Sequence, residues 1–210
     1  MKNQTTQTPV LTRRQRNREH TIQTILDTAR IIMRENGTAA LSMHELARRL
    51  DMRAPSLYNY FSSLMDIYDA LFRQGFILWD QFIKESVKDA QTWQELLRAS
   101  MEAYMRFAIQ NPEFFQLCFE RPVPGFVPSE ESLQVSFKNL EDMVAMTARI
   151  KDDIQTDLPA NRMADLIIAI THGMTALHMA NEPQLPSGEG RFGGLILAAI
   201  SVLESAWTKE

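Results

Sequence analysis

The sequence predicts an all-α fold, and three observations support the prediction. Apolar residues recur at helical spacing along nearly the whole chain. No stretch alternates between apolar and polar residues as a half-buried strand does. Capping residues and Asn, Pro or Gly breakers separate the periodic stretches. With 210 residues, 45% of them hydrophobic, the chain can bury the core of one large or two modest domains.

The N-terminal third predicts an arm followed by three helices. Residues 1–17 are polar and then arginine-rich, which is typical of a flexible basic arm. An apolar face over 18–36 predicts the first helix. Ser42 and Glu45 have the spacing of a capping box, which opens a second helix. Pro55 is tolerated only in a first helical turn, so a short third helix follows a tight turn.

The remaining two thirds predict a longer series of helices, which brings the total to about nine. A fourth helix covers roughly 63–89, and Thr92 with Glu95 forms another capping box. Three prolines and a glycine within 121–128 predict a loop. The next predicted helix runs from Thr92 to about 110, and the chain begins a new segment at Asn111-Pro112. Three further helices are predicted over 130–152, 159–180 and 191–207.

Composition excludes several classes of protein. Cys118 is the single cysteine, so neither an intramolecular disulfide nor a cysteine-based zinc site is expected, and a small buried side chain is the simpler interpretation. Neither a long uncharged apolar run nor a signal-peptide centre is found, which predicts a cytoplasmic protein without a membrane partner. Residues 1–62 hold 10 Lys/Arg against 5 Asp/Glu, and residues 63–210 hold 12 against 21. The positive end suits a polyanion.

The second and third predicted helices meet the geometric needs of a helix-turn-helix, with the third entering the major groove of DNA. Polar side chains there can bond to base edges or phosphate, and Leu57 and Phe61 are expected to point into the core. This pattern alone leaves an ordinary helical hairpin open. The polar side chains are Ser56, Tyr58, Asn59 and Tyr60.

Residues 41–71, LSMHELARRLDMRAPSLYNYFSSLMDIYDAL, resemble the DNA-binding signature of the tetracycline-repressor (TetR) family, T-x-x-x-I-A-x-x-A-G-V-S-x-G-T-x-Y-x-Y-F-x-S-K-x-x-L. The resemblance implies that Ser42 and Tyr58 contact phosphate and that the start of the third helix reads bases. It also implies a C-terminal domain that dimerises and senses a ligand. The expected DNA-binding residues are Ser42, Arg53, Ala54, Pro55, Ser56, Tyr58, Asn59 and Tyr60.

Three positions depart from the signature. Asp51 stands at the turn glycine, Arg53 at the capping serine, and Leu64 at a lysine that often touches the DNA backbone. Leu64 cannot make an ionic phosphate contact, although Arg53, Arg48, Arg49 or the arm can supply the charge. The expected organisation is therefore an arm over 1–17, a helix-turn-helix domain over 18–62, and a ligand-binding and dimerisation domain over 63–210.

In that C-terminal domain, the run ADLIIAITHGMTAL resembles the W-x-x-x-H-G-x-x-x-L pattern of one TetR subgroup, without its tryptophan. His172 either binds ligand or is structural beside a close helix contact at Gly173. A surplus of methionine and aromatic residues suits a deformable apolar cavity, although each residue alone is equally typical of a plain core. The candidate ligand-binding residues are Met101, Met105, Phe115, Phe119, Met143, Met146 and His172.

Apolar faces on the last two long predicted helices favour half of an intersubunit four-helix bundle, although both helices can instead close the monomer core. Two recognition helices about 34 Å apart require a homodimer and predict a near-palindromic operator. The candidate interface residues are Met163, Ile167, Ile170, Met174, Leu195, Ala199 and Leu203.

Enzymatic function is not expected. Gly188 to Gly193 formally spell G-x-G-x-x-G, but no predicted strand precedes them. His172 and His178 lie about 240° apart on one helix, so they cannot share a metal. No cofactor is expected. The sequence therefore indicates a regulator of double-stranded operator DNA. The family resemblance implies a repressor released by a small, largely apolar effector, and an activator remains open. A helical adaptor with a degenerate reading head is the alternative.

Overall fold

The computed structural model describes residues 12–151 and 153–207, and within these ranges the regular elements are helices without a strand. Chain contacts divide the protein into two compact units, Met1–Ile67 and Tyr68–Glu210. The all-α prediction is confirmed. Residues 1–11 of the predicted arm lie outside the described residues.

The first unit contains α1 (Arg13–Asn36), a 3-10 turn (Thr38–Ala40), α2 (Met43–Arg49) and α3 (Ala54–Leu57). Helix α1 begins five residues before its predicted start, so 13–17 are helical and not part of a flexible arm. A complete capping box causes the early start: Thr12 Oγ1 accepts from the Gln15 amide at 3.3 Å, and Gln15 Oε1 accepts from the Thr12 amide at 2.8 Å. The sequence pattern missed this turn because it lacks apolar residues.

Helix α4 (Leu64–Val87) begins in the first unit and runs into the second. Its first turn is capped by Ser63, whose Oγ accepts from the Asp66 amide at 3.2 Å, while Asp66 Oδ2 accepts from the Ser63 amide at 3.2 Å. These two bonds satisfy amides that a helix start leaves unpaired. They fix the first turn of α4 to the end of the helix-turn-helix.

The second unit is built around α8 (Ala160–Asn181), which packs against α5 (Trp93–Gln110), α7 (Glu130–Ile150), α9 (Gly190–Gly193) and α10 (Ile196–Trp207). Among the described helices, α8 is the one long and apolar enough to cross a membrane by length and composition. Its inner face instead joins a core cluster. The buried members are Leu97, Met101, Met105, Ile150, Ile154, Met163, Ile167, Met174, Ile196, Ile200, Leu203 and Trp207.

Helix α6 (Pro112–Phe115) continues into a π-helical turn, Gln116–Glu120. This segment packs very closely on α4 at Gly75. A β-carbon added to Gly75 would lie 2.6 Å from Cys118 Sγ and 3.1 Å from Phe114 Cδ1. The thiol of Cys118 donates to the Phe72 carbonyl at 3.6 Å. The lone cysteine is therefore a buried packing residue, as its sequence context suggests.

The last predicted helix, 191–207, is interrupted in the structure. Helix α9 ends at Gly193 and α10 begins at Ile196. A β-carbon at Gly194 would approach the Gly190 carbonyl oxygen to 2.8 Å, so this tight turn requires glycine. The apolar periodicity of the sequence did not reveal the break.

Candidate nucleic-acid interface and effector site

Ser42 caps the first helix of the helix-turn-helix. Its Oγ accepts from the Glu45 amide at 3.2 Å. The predicted capping box is only half formed, because the Glu45 carboxylate turns away to Arg48 and Arg49. Since Ser42 Oγ is used as an acceptor, its hydroxyl proton remains able to donate to a phosphate oxygen.

The Glu45 carboxylate holds both arginines of α2. Its oxygens lie 2.8 Å from Arg48 Nε and 2.8 Å from Arg49 Nε, and Arg49 Nη1 also lies 2.6 Å from Glu35 Oε2. Hydrogen bonds from Arg48 and then Arg49 lower the pKa of Glu45 to about 2. Each of these arginines is therefore already paired with a carboxylate. This pairing weakens the expectation that Arg48 and Arg49 supply the phosphate contact that Leu64 cannot make.

Asp51 forms the turn between α2 and α3. Its φ is 52°, in the left-handed region that glycine occupies without strain. The turn is closed by a hydrogen bond from the Met52 amide to the Ala47 carbonyl at 2.9 Å. The turn therefore keeps the geometry of the family signature although a non-glycine residue occupies the glycine position.

Replacing Asp51 with glycine should stabilise the first unit. The change removes left-handed strain, which costs an L-residue roughly 1–2 kcal/mol, and this gain is partly offset by glycine entropy. We expect the free energy of unfolding to rise by about 0.5–1 kcal/mol in urea titrations. Asp51→Ala is the matched control, because alanine tolerates this φ less well. Greater stability in the alanine variant would contradict the assignment of strain.

The recognition segment is shorter as a helix than the sequence predicted. Helix α3 ends at Leu57, which is fully buried, and Tyr58 to Tyr60 form a hydrogen-bonded turn closed from the Tyr60 amide to the Leu57 carbonyl at 2.9 Å. Tyr58 is 55% exposed and Asn59 is exposed, whereas Ser56 is half-buried. Asn59 and Tyr60 therefore follow the helix instead of lying on it.

Arg18, on α1, holds the end of this segment. Its Nη2 donates to the Asn59 carbonyl at 3.2 Å, and its guanidinium carbon lies 5.5 Å from the centre of the Tyr60 ring. The two residues are distant in sequence, so no local pattern could have identified this contact. Arg18 fixes the backbone that presents Tyr58 and Asn59.

The predicted ligand-binding residues fall into two groups. Phe115, Phe119 and His172 meet around Tyr104, which no sequence pattern had singled out. The Tyr104 hydroxyl lies 2.9 Å from His172 Nδ1, and the Phe115 and His172 rings stack with centroids 5.7 Å apart. Burial raises the pKa of Tyr104 above its usual range. The phenol therefore stays protonated and can donate to the imidazole.

A shallow groove of about 320 Å³ opens beside this aromatic group. Its volume is at the lower end of the range typical of small-molecule sites. Its lining combines aromatic and aliphatic surface with one carboxylate and one imidazole. The lining residues are Tyr104, Phe119, Asp165, Ile168, Ala169 and His172.

The second group consists of the four predicted methionines. Met101 and Met105 are buried in the core cluster, and Met143 and Met146 are partly buried against it. With Met163 and Met174, the cluster brings six thioethers together. Such a core can repack around a guest, because methionine is flexible and polarizable.

The predicted dimer-interface residues are mostly turned inward. Met163, Ile167, Met174 and Leu203 are buried in the core of their own unit, so they cannot meet a partner subunit without rearrangement. Ile170 and Ala199 are half-buried, and Leu195 is 44% exposed. Both faces of α8 are apolar, and Met163, Ile167 and Met174 lie on the face that meets the core.

The opposite faces of α8 and α10 expose an apolar surface. On α8, Leu166 and Leu177 flank a strip of small residues that includes Gly173. A β-carbon at Gly173 would meet no atom within 4 Å among the described residues, so the close helix contact predicted there does not occur within this chain. Leu195, in the turn before α10, and Val202, on α10, lie on the same side, which is separated from Leu197 by more than a quarter turn.

Comparison with known proteins agrees with both halves of this architecture. A family model for bacterial regulatory proteins of the tetR family matches residues 25–71, and one for the tetracyclin repressor-like C-terminal domain matches residues 97–193. The uncharacterized HTH-type transcriptional regulator YobS of Bacillus subtilis (strain 168) is 32% identical over 93 residues, which cover 44% of this chain. The matched region spans 48% of YobS, about half of its length.

Solved structures share the fold over most of the chain. A protein of unknown function from Rhodococcus sp. RHA1 has a TM-score of 0.74 and 19% identity, covering 90% of this chain and 95% of that one. AibR in complex with isovaleryl coenzyme A and operator DNA has a TM-score of 0.62 and 16% identity, covering 86% and 96%. The helix-turn-helix geometry and the two family matches together show that the chain belongs to the TetR family, as a transcriptional regulator with a helix-turn-helix DNA-binding domain.

Proposed function

We propose that the protein is a cytoplasmic homodimeric repressor that leaves a near-palindromic operator when a small, largely apolar effector binds. The observation that supports this most strongly is the presentation of Tyr58 and Asn59. Both are exposed, while the adjacent Leu57 is fully buried and Arg18 holds the backbone at Asn59. A rigidly supported polar surface after a short helix suits a major-groove contact.

The proposed dimer interface is the outward apolar surface of α8 and α10. Large apolar side chains are exposed on both helices, and apolar surface exposed in this way is typical of a partner-binding face. Gly173, with open space beside it, lets the same helix of a second subunit approach closely. This surface replaces the inward-facing residues of the sequence prediction, and it retains the idea of a bundle built from two helices of each subunit.

The proposed effector site includes the groove beside Tyr104 and His172 and the methionine-rich core cluster. The groove provides an opening, and the thioethers provide a core that can change shape. The crystal structure of AibR, a protein of the same fold, is a complex with isovaleryl coenzyme A and operator DNA. An effector of this chain acts by binding more tightly to a conformation with lower operator affinity.

Selection of bound fragments from genomic DNA by the purified protein tests this function. We expect enrichment of a near-palindrome whose two half-sites are about one helical turn apart. Binding to that site should weaken steeply as salt rises, because cations are released from phosphates. No enrichment by a folded protein, or binding that is insensitive to salt, would instead favour a helical adaptor that does not read DNA.

Substitutions in the recognition segment should separate two roles. Tyr58→Phe removes a hydroxyl expected to donate to phosphate, so affinity should fall by similar factors on selected and scrambled DNA. Asn59→Ala, and Ser56→Ala beside it, should lose about 1–3 kcal/mol on selected DNA only. Fluorescence anisotropy on both duplexes measures this difference. Equal losses for all three variants on both duplexes would disprove the division of roles.

A further inference from the structure

Three polar side chains lie on the inner face of α8, in the middle of an apolar core. Thr171, Thr175 and His178 are spaced by four and three residues, which places them along one side of the helix. Thr171 is 7% exposed, and Thr175 and His178 are fully buried. Buried polar groups in proteins are almost always hydrogen-bonded.

Here three buried polar atoms have no hydrogen-bond partner among the described residues: Thr171 Oγ1, Thr175 Oγ1 and His178 Nδ1. Other helical threonines in the chain behave differently. Thr21 and Thr24 donate to the carbonyl four residues back at 2.9 Å, and the buried Thr147 donates to Val144 at 2.9 Å and to Ala160 at 2.8 Å. The unpaired hydroxyl groups of Thr171 and Thr175 therefore differ from those of these other helical threonines.

The state of the His178 ring defines what the cluster can bind. Its Nε2 lies 3.1 Å from the Leu185 carbonyl oxygen, which can only accept, so Nε2 carries a proton. In the neutral ring Nδ1 is then an acceptor that needs a donor. The two threonine hydroxyls can each donate. Thr175 and His178 lie about one turn apart on α8. A hydroxyl group between them meets both needs, because it donates one bond and accepts another.

The surroundings of the cluster are apolar and deformable. Met105 and α9 adjoin the ring: a β-carbon at Gly193 would lie 3.2 Å from His178 Nδ1 and 3.3 Å from Met105 Sδ. Thr175 lies one helical turn beyond His172, which lines the open groove. The groove and the buried polar side chains therefore lie on neighbouring sides of α8.

We propose that Thr175 and His178 bind the hydroxyl group of an uncharged, otherwise apolar molecule held within the second unit. The inference deepens the effector proposal above and rests on it. The hydroxyl donates to His178 Nδ1 and accepts from the Thr175 hydroxyl. The methionine-rich core cluster surrounds the apolar remainder of the molecule.

Calorimetric titration of the full chain without DNA tests the site with matched probes. The probe pairs are phenol with toluene, 4-propylphenol with 4-propyltoluene, and cyclohexanol with methylcyclohexane, each exchanging a hydroxyl for a methyl group. At least one hydroxyl probe should bind about tenfold or more tightly than its partner, because an unmatched methyl leaves the polar cluster unpaired. Equal affinity in every pair, or no binding by any hydroxyl probe, overturns the proposal.

Isosteric variants assign the preference to the cluster. Thr175→Val should lower the hydroxyl-to-methyl affinity ratio without weakening the methyl probe, because the bound hydroxyl loses one donor and keeps its bond to His178 Nδ1. Thr147→Val is the control and should keep the ratio. A ratio that Thr175→Val leaves unchanged would place the hydroxyl elsewhere and overturn the proposal.

Thermal unfolding of the unliganded variants gives a second readout. Thr175→Val should leave the midpoint unchanged or raise it, since no bond is lost, whereas Thr147→Val should lower it. An equal decrease in both would mean that the Thr175 hydroxyl is already paired in the unliganded fold, against the proposal. The titration contains no DNA, so its outcome is independent of the selection for an operator. If the protein binds hydroxyl probes selectively but enriches no operator, the site is kept and only the proposed repressor function is rejected.

Discussion

Replacing Val202 with lysine is expected to convert the proposed dimer into a monomer and to reduce operator affinity on the order of 100-fold. Val202 is 67% exposed on the outward face of α10. In the proposed interface the two-fold axis places two new ammonium groups in apolar surroundings without partners, which is strongly unfavourable. Sedimentation velocity measures the mass, and fluorescence anisotropy with the selected duplex measures the affinity.

Leu197→Lys is the matched control for this experiment. Leu197 is a similarly exposed apolar residue of the same helix, at 56%, but it lies on a different side from Leu195 and Val202. We expect this variant to keep the mass and the affinity of the unmodified protein. A monomer with Leu197→Lys and a dimer with Val202→Lys would place the interface on the other side of α10.

Replacing Gly75 with alanine should lower the free energy of unfolding by about 1–3 kcal/mol, as overpacking of a close-packed core does. The added methyl group would stand 2.6 Å from Cys118 Sγ, so either α4 or the π-helical turn must shift. Urea unfolding measures the loss. The result is opposite to the usual effect of alanine for glycine inside a helix, which is stabilising by about 1 kcal/mol.

A double substitution identifies the contact that causes this loss. In a Cys118→Ala background the sulfur is absent, so the additional cost of Gly75→Ala should shrink to well below its value in the unmodified protein. Phe114, at 3.1 Å from the added carbon, accounts for the part that remains. An unchanged cost in both backgrounds would show that the thiol is not the obstacle.

Features set by neighbouring residues could be predicted from the sequence. The Thr92 and Glu95 capping box is confirmed: Thr92 Oγ1 accepts from the Glu95 amide at 3.2 Å, and Glu95 accepts from the Thr92 amide at 3.2 Å. The helix-turn-helix is also confirmed. It could be predicted for the same reason, since a turn and its caps depend on a few adjacent side chains. The positive φ at Asp51 follows from its place in the motif.

Features that depend on distant residues could not be predicted. Arg18 and Asn59 are 41 residues apart, so their contact leaves no periodic signal. Helix α8 is apolar on both faces, and periodicity alone does not tell which face meets the core. The three buried polar groups of α8 were likewise invisible, because a threonine in a helix gives no sign of whether its hydroxyl is paired.

The pairing of Glu45 with Arg48 and Arg49 also affects how DNA binding responds to ions. Each arginine that neutralises a backbone phosphate displaces bound cations, which steepens the dependence of the binding constant on salt by about 0.9 per phosphate. Arginines already neutralised by a carboxylate displace few. The salt dependence should therefore report fewer phosphate contacts than the number of arginines in the first unit. Most of the displaced cations should then be due to Arg13, Arg14 and Arg53.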